Sequence, residues 1–282
     1  MPLTSSLALK TVSKAISLVH QAARISANLV VFPEIYISVF PIWSALRSPS
    51  ENHDFFPWSR KVQAPREVAR ETKAVISIGI SEMSRASVAC LYNSNLLIST
   101  AGEVAKPTWN PGDGYGLHVA DTLYEYQPVS TLSLMAQREQ IYISSWPPIW
   151  PTRVPAASAS QSPGPPNYDN VLANRLRTAA HCFEAKAFGM MCSSYLDQEG
   201  IDAVIAGPSS PDVIENALDN ASQGASIEEG VLYADINLSR RIEGKQYHDT
   251  VEGYQRLYVF QLRVNRSRRD PVAFTESCHI QE

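Results

Sequence analysis

One carboxylate is singled out by its surroundings. In LVVFPEIYISVFP, residues 29 to 41, Glu34 follows an apolar run and a proline. Leu29 to Phe32 have the composition of a buried strand, and Pro33, which has no N–H, ends its ladder. The spacing delivers Glu34 to the C-terminal end of a strand, where ligands bind in α/β sheets. Val31, Phe32, Ile35 and Tyr36 would withdraw water from it, which raises a carboxyl pKa and suits a general base. A helix-capping or salt-bridged glutamate at a strand exit fits the same spacing.

The other reactive side chains are less telling. The four cysteines, Cys90, Cys182, Cys192 and Cys278, have no metal-like spacing. Cys90, Cys182 and Cys192 lie in apolar or helical contexts, the pattern of reduced core thiols in a cytoplasmic protein. His181 precedes Cys182, but neighbours on a helix point about 100° apart and do not face each other. The GDG at 112–114 is a tight turn without the Lys-Ser/Thr of a phosphate loop.

The elements that must position Glu34 alternate along the chain. A helix is expected over 7–24, with Leu9, Val12, Ile16, Val19 and Ala23 as its apolar stripe. Because residues 1 to 33 carry Lys10, Lys14 and Arg24 and no acid, this stretch also weakly resembles a presequence; the helix is the better reading. Strands are expected over 29–32, 74–80, 141–146, 189–194, 203–207, 230–238 and 258–264, and a strand pair over 86–100 bending near Asn93–Ser94. Helices are expected over 65–73, 130–140 and 171–188, and a short one before the last strand. The stretch 147–168 holds seven prolines and reads as a long loop. Alternating strands and helices mean an α/β fold. One domain over 1–265 and a charged tail over 266–282 are expected. The chain is 282 residues long, 44% hydrophobic and 18% charged with net charge −4. Those values fit a globular protein and imply neither a nucleic-acid nor a membrane partner.

The wording ANLVVFPEIYISVFPIW resembles the first signature of the nitrilase family, the carbon–nitrogen hydrolases. SIGISE (77–82), SVACLYNSNLLIST (87–100), KPTWN (106–110), QREQIYISSWPPIWP (137–151), HCFEAKAFGMMCSS (181–194), EEGVLYADINL (228–238) and GYQRLYVFQLRVNRSRRDPV (253–272) resemble its later elements, in order. The wording QREQIYISSWPP is closest to the fungal-type nitrilase and cyanide hydratase branch. The resemblance implies a four-layer α-β-β-α sandwich, a small nitrile or cyanide and further copies of the chain as partners, and a Glu-Lys-Cys catalytic set that needs no metal or organic cofactor. In that set the thiolate attacks the nitrile carbon to give a thioimidate. The carboxylate moves the protons, and the ammonium stabilises charge on nitrogen. Glu34 matches the base, and Glu184 matches a glutamate of the family's long helix.

The sequence departs from that pattern in four places. No cysteine lies between Cys90 and Cys182, and HVADTLYEYQPVSTLS (118–133) stands where the family has Cys-Trp-Glu. Five residues before Gln127, Thr122 to Tyr126, cannot supply a strand of about five residues, a turn and an exposed nucleophile. The nucleophile strand is therefore read as missing, and so is the first strand ahead of the helix. The family lysine falls on Val104, so Lys106 is offset from it by two, and a loop-positioning lysine is the better reading than a catalytic one. The family's second glutamate is also lost. A degenerate homologue and a sequence with skipped coding segments both explain these losses. Tyr36, Phe40, Trp43 and Trp58 would line a substrate pocket or simply pack.

Overall fold

The computed structural model describes residues 3–37, 63–83, 91–105, 108–109, 128–147, 170–195, 229–253, 256 and 258–265. Helix α1 (Leu3–Arg24) leads into strand β1 (Leu29–Val31). The helix stops where Ser26 takes a positive φ of 63° and Ala27 N–H reaches back to the Ala22 carbonyl at 3.1 Å. The buried stripe is Val12, Ala15, Val19 and Ala22. It is rotated by about one residue from the expected one: Ile16 packs at its margin and Leu9 is exposed.

Helix α2 (Gln63–Thr72) precedes the long strand β2 (Val75–Met83), which pairs with β3 (Leu91–Ile98). The short strands β4 (Val104–Ala105) and β5 (Thr108–Trp109) both pair with β3. β1 lies parallel to β2, while β2 and β3 run antiparallel. Arg66 and Arg70 of α2 donate to the carbonyls of Gly102 and Ala101, each at 2.8 Å, and so tie the helix to the β3–β4 turn. Helix α3 (Pro128–Met135), strand β6 (Ile141–Trp146), helix α4 (Asn170–Ala185) and strand β7 (Phe188–Ser193) form a second unit in which β6 and β7 pair in parallel. A 3-10 turn at Leu238–Arg240 and helix α5 (Arg241–Tyr247) follow.

Strand alternation divides the side chains between two apolar layers. Ile76, Ile78, Ile80, Leu96 and Ile98 face α1 and α2. Leu97 and Ile143, with Leu29, Val31, Val75, Ile141 and Met190, fill the space between the two sheets. On the outer face of the second sheet, Thr178 of α4 donates to Ser144 Oγ at 2.8 Å and His181 stacks on Tyr142. The order helix, sheet, sheet, helix is the four-layer α-β-β-α sandwich that the resemblance implies.

Several expected elements are corrected. Asn93 and Ser94 do not bend the chain. They lie within one continuous strand, opposite Ser81 and Ile80. Residues 230–237 are described but carry no ladder, and Leu232 is almost fully exposed. Residues 258–264 are likewise not a strand: Tyr258 and Phe260 are exposed and Val259 N–H closes a turn on the Arg256 carbonyl. A strand needs a partner for its backbone groups, and none pairs with these two segments among the described residues. Helix α3 ends at Met135, five residues early, in a turn that reaches φ 67° at Arg138. Helix α4 ends at Ala185 because Lys186 takes a φ of 54° and starts the entry into β7. The expected strand 203–207, the loop 148–168 and the tail 266–282 lie outside the described residues.

Candidate active site

Glu34 stands in the turn that leaves β1, held against β2 by backbone contacts. Phe32 N–H donates to the Ser77 carbonyl at 2.7 Å, Gly79 N–H to the Pro33 carbonyl at 3.3 Å, and Ile37 N–H to the Gly79 carbonyl at 3.0 Å. A Cβ on residue 79 would lie 2.2 Å from Ile35 N, 2.6 Å from the Pro33 oxygen and 2.8 Å from Glu34 C. Only a glycine lets the turn approach the strand this closely. Ile35 takes a φ of 48°, a left-handed conformation unusual for a β-branched residue. The local sequence Pro-Glu-Ile thus turns sharply instead of continuing the strand.

Alternation on the inner face of β3 brings the carboxylate its partner. Leu97 packs between the sheets, Asn95 Nδ2 donates to Ser77 Oγ at 3.1 Å, and Asn93 Nδ2 donates to Glu34 Oε1. The space between the sheets therefore passes from apolar at Leu97 and Ile143 to polar at Asn95, Asn93 and Glu34. The second sheet is tied to the same turn. Ser194, one residue past β7, donates its hydroxyl to the Glu34 carbonyl at 3.1 Å and its N–H to the Trp146 carbonyl at 3.1 Å. Burial pushes the Glu34 carboxyl up to about 7, and the Asn93 amide opposes that rise. A partly buried carboxyl balanced near neutrality can both take and return a proton.

Of the four aromatic residues Tyr36, Phe40, Trp43 and Trp58, Tyr36 is described. Phe32 and Tyr36 rings lie 4.9 Å apart at 50°. The Tyr36 hydroxyl is pushed up to about 12 by burial and by Glu229, which pairs with Lys14 of α1. Phe40, Trp43 and Trp58 lie outside the described residues, as do Lys106, Thr122, Cys90 and Cys278. Val104 is in β4 opposite Ile98.

The two described thiols are poor nucleophiles. Burial pushes Cys192 up to about 12, and burial with the nearby Glu139 carboxylate pushes Cys182 up to about 11. A Cβ at Gly189 would sit 2.7 Å from Cys182 Sγ, which places that thiol at the α4–β7 contact. His181 turns away from it to Glu139, with Nε2 and Oε1 2.7 Å apart and both side chains buried. Glu184 accepts from Thr250 Oγ1 at 3.0 Å and lies 3.8 Å from His248 Nε2, so it fastens the end of α4 to the segment after α5. Among the described residues, no cluster of three metal-ligating side chains occurs and no helix is long and apolar enough to cross a membrane.

The contacts that seat Glu34 and that sequence reasoning did not anticipate are those of Gly79, Asn93 and Ser194. Gly79 had a readable signal, a lone glycine inside an apolar strand, which marks close backbone approach. Asn93 had one only after β3 was recognised as a single strand.

The chain is similar to known proteins over most of its length. Residues 1–113 match the carbon-nitrogen hydrolase family model. A nitrilase of Penicillium rubens is 27% identical over 94% of this chain and 91% of its own. An aliphatic nitrilase of Rhodococcus rhodochrous is also 27% identical, over 94% of this chain and 81% of its own. The crystal structure of a carbon-nitrogen hydrolase from Helicobacter pylori superposes with a TM-score of 0.52 at 16% identity, covering 85% of this chain and 88% of that one, and so shares the fold. A carboxylate presented at the end of β1 between two facing sheets accompanies this likeness: the chain is similar to nitrilases over nearly its whole length and has the fold of a carbon–nitrogen hydrolase.

Proposed function

We propose that the inter-sheet crevice beside Glu34 receives a small nitrile or cyanide, and that Glu34 is its general base. The observation that carries this reading is the placement of one partly buried carboxyl, pushed up to about 7, at the exit of β1 against Asn93. The family reaction hydrolyses a nitrile to a carboxylic acid and ammonia through a cysteine thioimidate. For cyanide, addition of one water would give formamide. In this 282-residue sequence no cysteine lies between Cys90 and Cys182, and Cys182 and Cys192 hold their protons well above neutral pH. The thioimidate step is therefore impaired here, and Lys106 is offset from the family lysine.

The same cysteine observation favours a second reading. The chain would be a non-catalytic nitrilase-fold subunit that binds a small molecule or joins a homo-oligomer or an assembly of active relatives. The experiment is ammonia release by the gel-filtered protein from aliphatic and aryl nitriles, with formamide assayed from cyanide and Glu34→Gln alongside. Release at background supports the impaired-site reading. Release that disappears in Glu34→Gln would overturn it and point to an unrecognised nucleophile.

A further inference from the structure

We propose that Asn93 is the positioning residue of the base: its amide occupies Glu34 Oε1 and leaves Oε2 as the oxygen that accepts the proton. This inference rests on the reading of Glu34 as the base of a hydrolase site, and it adds how that base is oriented and held in its working range.

The argument begins with geometry. β3 reaches the crevice with every second side chain, and Asn93 is the inward-facing residue that meets the carboxylate, 59 residues away in sequence. The backbone of Glu34 is already fixed on one side by Gly79 and on the other by Ser194. With the backbone held, the side chain still rotates about its own torsions, the carboxyl group included. The hydrogen bond from Asn93 to Oε1 restricts those rotations. Oε2 has no hydrogen bond from a described residue.

The choice of an amide also matters chemically. Burial without a partner favours the protonated acid, which cannot accept a proton. A lysine or arginine at residue 93 would hold the carboxyl well below neutrality and make it a poor base. A neutral donor stabilises the carboxylate by a smaller amount and leaves it balanced near pH 7. Asn93 is thus matched to a group that must both take and return a proton.

The test reads Glu34 directly and needs no turnover. Carboxyl carbons are labelled with ¹³C in the full chain, Glu34 is assigned by its loss in Glu34→Gln, and its titration is followed by NMR. In Asn93→Leu and Asn93→Ala the Glu34 midpoint is expected to rise by about one pH unit or more, a tenfold loss of carboxylate at a given pH below the midpoint. In Asn93→Asp the two carboxyls share one site and the titration splits into two steps. A merely structural asparagine would lower stability and leave the midpoint alone. Midpoints within about 0.3 unit of wild type in both apolar variants, with folded spectra retained, would overturn the proposal. Should Asn93→Leu not fold, Asn93→Asp decides, because an unsplit titration contradicts the contact. If the midpoint moves as expected while no nitrile is hydrolysed, the positioning role stands and the hydrolase reading is what fails.

Discussion

Gly79→Ala tests how the Glu34 turn is seated. The added methyl meets Ile35 N at 2.2 Å, the Pro33 oxygen at 2.6 Å and Glu34 C at 2.8 Å, all of them backbone atoms. Real Cβ atoms essentially never come within 3.0 Å of such neighbours, so the turn must retreat by close to an ångström. Overpacking of this kind typically costs about 1–3 kcal/mol, and the upper end applies where no flexible side chain can yield. The Gly79–Pro33 and Ile37–Gly79 hydrogen bonds are strained at the same time, at about 1 kcal/mol each. The expected loss is about 3–5 kcal/mol, read as a fall in unfolding free energy by urea titration. Gly230→Ala is the control, because nothing lies within 4 Å of its added methyl; it should change stability by less than about 0.5 kcal/mol. Where Gly79→Ala still folds, Glu34 should lose its hold on Asn93 and titrate differently from wild type. A Gly79→Ala protein within about 0.5 kcal/mol of wild type, with Glu34 unmoved, would show that the turn is not pressed against β2 and would refute the reasoning.

Three further outcomes are expected. Because the Glu34 carboxyl is pushed up from 4.5 to about 7, the folded state holds this proton more tightly than the unfolded chain. Its contribution is full below the unfolded value and is lost as pH rises from about 4.5 through about 7. Wild type should lose about 3 kcal/mol relative to Glu34→Gln across that window, and parallel stability–pH curves for the two proteins would refute it. Iodoacetamide at pH 8 should leave Cys182 and Cys192 unlabelled in the folded protein and label both in urea, since thiols held up to about 11 and about 12 carry little thiolate there; rapid native labelling by mass spectrometry would contradict their burial. His181→Ala strands the buried Glu139 carboxylate and should cost about 3–5 kcal/mol on urea unfolding while the Glu34 titration stays in place; a loss under about 1 kcal/mol would remove the pair from the account of α4 packing.

The parts of the fold that were readable in sequence are those governed by local patterning. The apolar run before Pro33 set both β1 and the position of Glu34, and IYISSW gave β6 with its observed bounds. Local signals misled where a residue type has two uses. Asn and Ser favour turns, so Asn93–Ser94 read as a bend, yet Ser94 is fully buried and Asn93 points to a carboxylate. The apolar alternation of 230–238 resembled a strand, but alternation does not supply a ladder partner. Asn93 and Ser194 were beyond local reading because each acquires its role from a contact across sheets or strands. The register of β2 with β3 and the meeting of the two sheets are what bring them to Glu34.

The most direct measurement is the titration of Glu34 itself in the unmodified 282-residue chain, by ¹³C NMR of labelled carboxyl groups. A midpoint near pH 7 that vanishes in Glu34→Gln is the result predicted for a buried, amide-held general base. A midpoint near 4.5, the value of an ordinary exposed glutamate, would contradict it and leave Glu34 as a surface carboxylate at a strand exit.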